Sequence, residues 1–258
     1  MTISTKFSVR IADFYFDEEP KNIAVDLIRR LQSSTPTAEG RCTPFCTVVV
    51  DLSPSEEWLI AHVRNNTRYE IKRAAERDHL TYSYWDKPGQ NVVAEFCDFF
   101  DHFARLRKRP RISRSRFRTL ADWKVVDLSM VSQGSGEPLV WHAFYRCKER
   151  VRMLESPSRL KTTADTEERN LFGRANRYHH WQDMMRFKAE GILTYDLGGW
   201  APNARDPEIA GINRFKEGFG GRIVENYNYQ RPITVKGKMA LHIFDLMQSL
   251  RGAREKPS

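Results

Sequence analysis

Four cysteines in 258 residues are few, and their spacing excludes most of what cysteine does as a framework residue. Cys42 and Cys46 stand close together, while Cys97 and Cys147 are each alone. A structural zinc site needs two close pairs, or one pair with spaced histidines, so we expect reduced thiols and no metal. No apolar run approaches the ~20 residues that a membrane-spanning helix requires. The opening stretch MTISTKFSVRIADFYFDEEP lacks the basic-then-apolar pattern of a leader. We therefore expect a cytoplasmic protein, at most peripheral to the inner membrane face. Short-period repeats and low-complexity tracts are missing too. One further absence is local: RLRKRPRISRSRFR, from Arg105 to Arg118, contains eight Arg or Lys and no acid. It carries +8 of the net +9, which leaves +1 for the remainder. Such a patch suits an anionic ligand, with Arg107 and Arg109 as candidate phosphate clamps, or it is a solvated basic helix end and loop.

What is present is enough apolar material for a core: 40% of residues are apolar and 12% aromatic, which argues against disorder. The pattern reads strand, helix, strand, helix, strand over the first ninety residues. KFSVRIADFYF alternates as a strand, NIAVDLIRRLQ has helical spacing, and CTVVVDL is a buried strand. SPSEEWLIAHV opens like a helix start. NTRYEIKRAAERDH continues as a second helix capped by Asn66 or Thr67, and LTYSYW is a strand before the break DKPGQN. The stripe Val92, Val93, Phe96, Phe99, Phe100, Phe103 and Leu106 predicts a helix that Pro110 ends. KVVDLSMVSQ and PLVWHAFYRC flank a hairpin turn, and RVRMLES continues as a third antiparallel strand. A helix over NRYHHWQDMMRFKAEG, the strand ILTYDLGG, a short helix near 207–217, the strand RIVENYNY and a last helix complete an α+β pattern.

Three segments carry a resemblance. YDLGGW and AGINRFKEGFGG, with NTRYEIKRAAERDHL upstream, resemble the Fem family of aminoacyl transferases, which build the peptide bridges of bacterial cell-wall precursors. The resemblance covers Ser53–Leu80 and Gly173–Tyr229. It implies a GNAT-like mixed sheet flanked by helices, as two modules: a trimmed one over 1–90 packed on a fuller acyltransferase module over 91–258. It also implies a catalytic or donor-positioning role for Lys216, with Phe215 as the wall beside it, and a weaker transfer of donor contacts to Arg68 and Lys72.

Acyl transfer to an amine requires positioned reactants, a stabilised oxyanion and an exit for a proton. Lys216 suits the second task. Asp196, ending a strand before Gly198 and Gly199, either accepts the amine proton or caps the turn, and the two glycines let substrate approach the main chain. His179, His180 and Trp181 either face substrate or pack on a sheet. His180 is then the candidate base, Trp181 a stacking platform and Arg214 a further substrate contact. NLFGRA resembles the phosphate turn of coenzyme A-dependent GNAT enzymes, with Asn170, Gly173, Arg174 and Ala175 as cradle, or is an ordinary helix start. Arg174 and Arg177 are candidate clamps for a nucleotide or tRNA end. No nucleophile triad stands out, so direct transfer is expected. The donor is aminoacyl-tRNA or acyl-coenzyme A, with no tightly bound cofactor, and the acceptor is an amine on a sugar-nucleotide or lipid-linked precursor. A non-catalytic RNA-binding module is the remaining reading.

Overall fold

The computed structural model describes residues 2–6, 8–16, 18, 23–38, 40–134, 136–159 and 166–254. The chain forms two compact units, one from 1–46 with 225–258 and the other from 47–224. The boundary expected after residue 90 falls inside the second unit, at the turn joining a strand that ends at Asp86 to a helix that begins at Gln90.

In the first unit, β1 (Thr2–Lys6) and β2 (Val9–Tyr15) form an antiparallel pair in place of the single strand expected over 6–16. β3 (Leu27–Ser33) runs parallel to β2 and antiparallel to a late strand spanning Arg222–Pro232. β3 covers residues that we expected to be helical. The reason is burial on both faces: Leu27 packs with Val9, Ile11 and Ala240, while its neighbour Ile28 packs with Ala12 and Phe14. Adjacent apolar residues then mimic helical spacing, and strand pairing overrides it. The last helix, Val235–Arg254, supplies Ala240.

The second unit is a six-stranded sheet: β4 (Arg41–Asp51), of which 47–51 lie in this unit, β9 (Thr194–Gly199), β8 (Arg150–Glu155), β7 (Glu137–Arg146), β6 (Val126–Gln133) and β5 (Leu80–Asp86), in that order. All neighbours are antiparallel except β8 and β9. Ser55 caps α1 (Glu56–His62), its hydroxyl accepting from the Trp58 amide. α2 is Asn65–Arg77, α3 Gln90–Leu106, α4 Arg114–Asp122, α5 Thr166–Ala189 and α6 Pro207–Glu217; the strand Arg222–Pro232 is β10 and the last helix α7. Helices cover both faces of the sheet. Val140 on β7 packs with Phe172 and Ala175 of α5, while the next residue, Trp141, meets Phe96 of α3 edge-on at 6.1 Å. Phe96 also meets Phe117 of α4 at 5.1 Å, so Phe96 and Phe100 of the stripe are core, as its spacing implies, while Phe103 near the helix end is half-buried.

The pairing of β8 with β9 positions the site. These parallel strands stay in register at only three positions: Arg150 with Thr194, Val151 with Tyr195, and Arg152 with Asp196. Their C-terminal ends, Met153–Glu155 and Leu197–Gly199, line a cleft.

Candidate active site

The cleft encloses about 560 Å³. Its floor is the ends of β8 and β9, α5 contributes Asn176 and His180, and α6 contributes Gly211, Ile212, Phe215 and Lys216. Phe103, Arg107 and Arg109 close it from the end of α3. α6 begins where it does because Asp206 accepts from the amides of Glu208 and Ile209, at 2.7 and 3.2 Å, with Pro207 in the first turn.

Lys216 lies in the last turn of α6 and its Nζ donates to the Gly199 carbonyl at 2.6 Å. Burial lowers its pKa to about 8, opposed by the Asp196 carboxylate and reinforced by the Arg152 guanidinium. Gly198 has φ +76°, and a Cβ there would stand 3.2 Å from the Met153 carbonyl and 3.9 Å from Lys216 Nζ, so the main chain must be bare at this point. The second glycine pair has a different use. A Cβ on Gly220, also at φ +76°, would lie 2.7 Å from the His62 carbonyl, and one on Gly221 would lie 2.7 Å from that of Val49. These glycines let the end of α6 pack tightly over α1 and β4.

Asp196 is fully buried and is absent from the residues lining the cleft. Its carboxylate accepts from the Gly198 amide at 2.8 Å, from Arg150 at 2.5 Å and from the Thr47 hydroxyl. This is the turn-capping geometry of the two alternatives. A carboxylate that does line the cleft is Glu155, at the end of β8. Burial raises its pKa, against the opposing pull of Arg116, Arg109 and Arg152. Glu155 was not singled out in the sequence; the visible signal was an acid at the end of the expected strand RVRMLES, which had no motif around it.

His180 reaches the cleft with 3% of its surface exposed, and its Nδ1 lies 2.7 Å from the Tyr195 hydroxyl. Burial, then His142, Lys216 and Arg177, hold its pKa well below the ordinary value, so its ring is neutral. Behind it, His142 stacks on His179 at 3.7 Å. His142 Nδ1 lies 2.6 Å from Asp183 Oδ2, and Nε2 lies 3.0 Å from Oδ1 of Asn176 in the cleft wall. His142, His179 and Asp183 bring donor atoms within 4.8 Å of one another, but both His142 nitrogens are already engaged. The cluster fixes the orientation of Asn176.

Several candidates lie elsewhere. Asn170–Ala175 sits within α5, which starts at Thr166, so NLFGRA is not a turn before a helix. Its Gly173 carbonyl accepts from Arg177, and Ala175 is core. Arg174 is 4% exposed and makes a two-pronged ion pair with Asp78 at 2.6 and 3.1 Å, which occupies its fork. Trp181 is 7% exposed and packs in the core with Phe187 and Tyr195. Arg68 bonds to Asn65 and Lys72 pairs with Glu76, both on α2 and outside the cleft lining. Arg107 and Arg109 are in the cleft, with Arg107 Nη1 3.3 Å from Glu208. Arg177 and Arg214 line a separate hollow behind Phe215.

No protein-family profile matches the sequence, and no curated protein matches it. Solved structures do. FemX matches with a TM-score of 0.59 at 13% identity, over 71% of this chain and 61% of the FemX chain. The C-terminal domain (DUF2156) of a protein assigned as a lysylphosphatidylglycerol synthetase from Agrobacterium fabrum matches with a TM-score of 0.51 at 13% identity, over 84% of this chain and 71% of that one. L-PGS from Bacillus licheniformis matches with a TM-score of 0.50 at 11% identity, over 86% and 73%. The present chain thus spans about three fifths of FemX. At such identities the likeness is one of architecture, and it agrees with the motifs: the chain has a FemX-like α+β fold.

Proposed function

We propose that this protein is an acyltransferase that passes an aminoacyl group from aminoacyl-tRNA to an amine by direct attack. The observation that carries the reading is Lys216, a half-buried ammonium held against bare glycine backbone at the mouth opened by the parallel pair β8 and β9. The amine nitrogen attacks the donor carbonyl carbon, a C–N bond forms and the ester C–O bond breaks. Lys216 Nζ stabilises the oxyanion of the tetrahedral intermediate. Glu155, its pKa raised by burial, takes the proton that the amine sheds and returns it to the departing hydroxyl. Arg107 and Arg109 draw the donor's phosphates to the cleft. Asp196 and Thr47 set the turn that presents Gly198 and Gly199.

The acceptor class is an amine on a sugar-nucleotide or lipid-linked precursor. No helix among the described residues is long and apolar enough to cross a membrane. The acyl-coenzyme A alternative has less support now that Asn170–Ala175 lies inside α5. We assign catalysis to the unit 47–224, which holds the whole lining of the cleft, rather than to a module over 91–258. Single-turnover transfer from charged tRNA to a panel of amines tests the proposal. Wild-type protein should transfer, and Lys216→Ala should retain its fold and lose turnover. A Lys216→Ala variant with full turnover would remove the reading.

A further inference from the structure

Behind the cleft lies a second hollow of about 320 Å³, within the same compact unit. Phe215 and Gly211 line both spaces. The other walls are Arg64, Arg177, Arg214, Asn66 and Thr67. Three guanidinium groups around one small space are an unusual concentration of like charge, and their pairing is incomplete.

Arg64 is engaged by Glu217 at 2.9 Å. Arg214 is exposed, and among the described residues its side chain makes no hydrogen bond or ion pair, although its charge helps to lower the Glu217 pKa. Arg177 is the most confined of the three. Its Nη1 donates to the Gly173 carbonyl at 2.9 Å and its guanidinium lies over the Phe215 ring at 5.1 Å. Its Nε is buried and has no hydrogen-bond partner. Burial lowers its pKa, opposed by the charge of Glu70, which stands outside the hollow's lining. A guanidinium drawn out of water with a buried N–H unpaired is stabilised by an anion that the protein does not supply itself. The start of α2 also borders the space: Asn66 and Thr67 are in its first turn, and Arg64 at the cap position makes no side-chain cap bond.

We propose that this hollow is an anion subsite that takes a phosphate-bearing group, held by Arg177 and Arg214 on the opposite side of Phe215 from the cleft. Planar forks of this kind suit phosphate oxygens, and the volume accommodates a pyrophosphate or the phosphate end of a larger ligand. Assigning that phosphate to the acyl donor rests on the transferase reading; the presence of the subsite does not.

The test reads the subsite alone. The Arg177 Nε–H resonance, identified by its loss in Arg177→Gln, is followed by NMR while inorganic pyrophosphate or a short oligoribonucleotide ending in CCA is added. A saturable shift is expected with at least one probe, and the probe that saturates at the lower concentration identifies the source of the phosphate. Arg214→Gln changes an exposed side chain, so it should fold normally and raise the apparent Kd about tenfold. A resonance that does not move with either probe, or an unchanged Kd in Arg214→Gln, overturns the proposal. Loss of turnover in Lys216→Ala bears on the cleft and leaves this result untouched.

Discussion

Lys216 Nζ donates to the Gly199 main-chain carbonyl across 2.6 Å, which joins the end of helix α6 to the end of strand β9 at the cleft. The same burial that fixes this contact brings the lysine pKa down to about 8. As the cation is the working form, transfer should decline as pH rises through that value. Lys216→Ala should reduce turnover about 100-fold. Stability moves in the opposite direction. The folded pKa lies below the unfolded one, so the unfolded chain binds more protons between about pH 8 and 10.5, and the native state gains stability across that window. Lys216→Met should therefore raise the melting temperature at pH 7, by a margin that shrinks as pH increases.

Glu155 should govern the acid limb of the rate profile. Its pKa is raised, so the carboxylate that accepts the proton is lost as pH falls through that elevated value. Glu155→Gln should abolish the acid limb and slow transfer about 100-fold, with little change in donor affinity. A profile whose acid limb survives the substitution would assign the proton to another group.

Arg107 and Arg109 stand in the cleft wall, so their contribution to donor binding should depend on salt. Reversing both charges, Arg107→Glu with Arg109→Glu, should weaken tRNA binding. The slope of log affinity against log salt should fall by about two. Filter binding at several salt concentrations checks both effects, and an unchanged slope would remove these residues from the donor path.

Arg174 should behave as a structural residue. Arg174→Met leaves the buried Asp78 carboxylate without its partner and should cost about 3–5 kcal/mol in urea denaturation. Donor affinity at a temperature where the variant is folded should be unaffected.

Gly220→Ala places a Cβ 2.7 Å from the His62 carbonyl at a positive φ. The expected destabilisation is about 1–3 kcal/mol. A neutral result would mean that the end of α6 has room to shift.

Much of the fold was legible because its elements announce themselves locally. The stripe from Val92 to Leu106, the short helix near 207–217 and the β-branched run of β4 all follow from local pattern. β3 was not legible, since Leu27 and Ile28 bury on opposite faces and that depends on partners distant in sequence. The site divides along the same line. Gly198 with Gly199 and Phe215 with Lys216 sit in two short motifs near each other in sequence and come together in the cleft, as do Arg107, Arg109 and His180. Arg174 was misplaced because its partner Asp78 is distant in sequence, while Trp181 took the packing alternative because tertiary structure brings the core around Tyr195 to it. Glu155 escaped notice for the converse reason: a single acid at a strand end acquires its burial and its cationic neighbours from tertiary structure.

Phe215 borders both spaces that α6 divides, and this limits what can be dissected genetically. Any replacement of its ring alters two compartments at once, so a phenotype at this position cannot be assigned to either. Lys216 and Glu155 report on one side alone, and Arg177 and Arg214 on the other. Mutational maps of this protein become interpretable when they are built from those two sets, with the aromatic partition left intact between them.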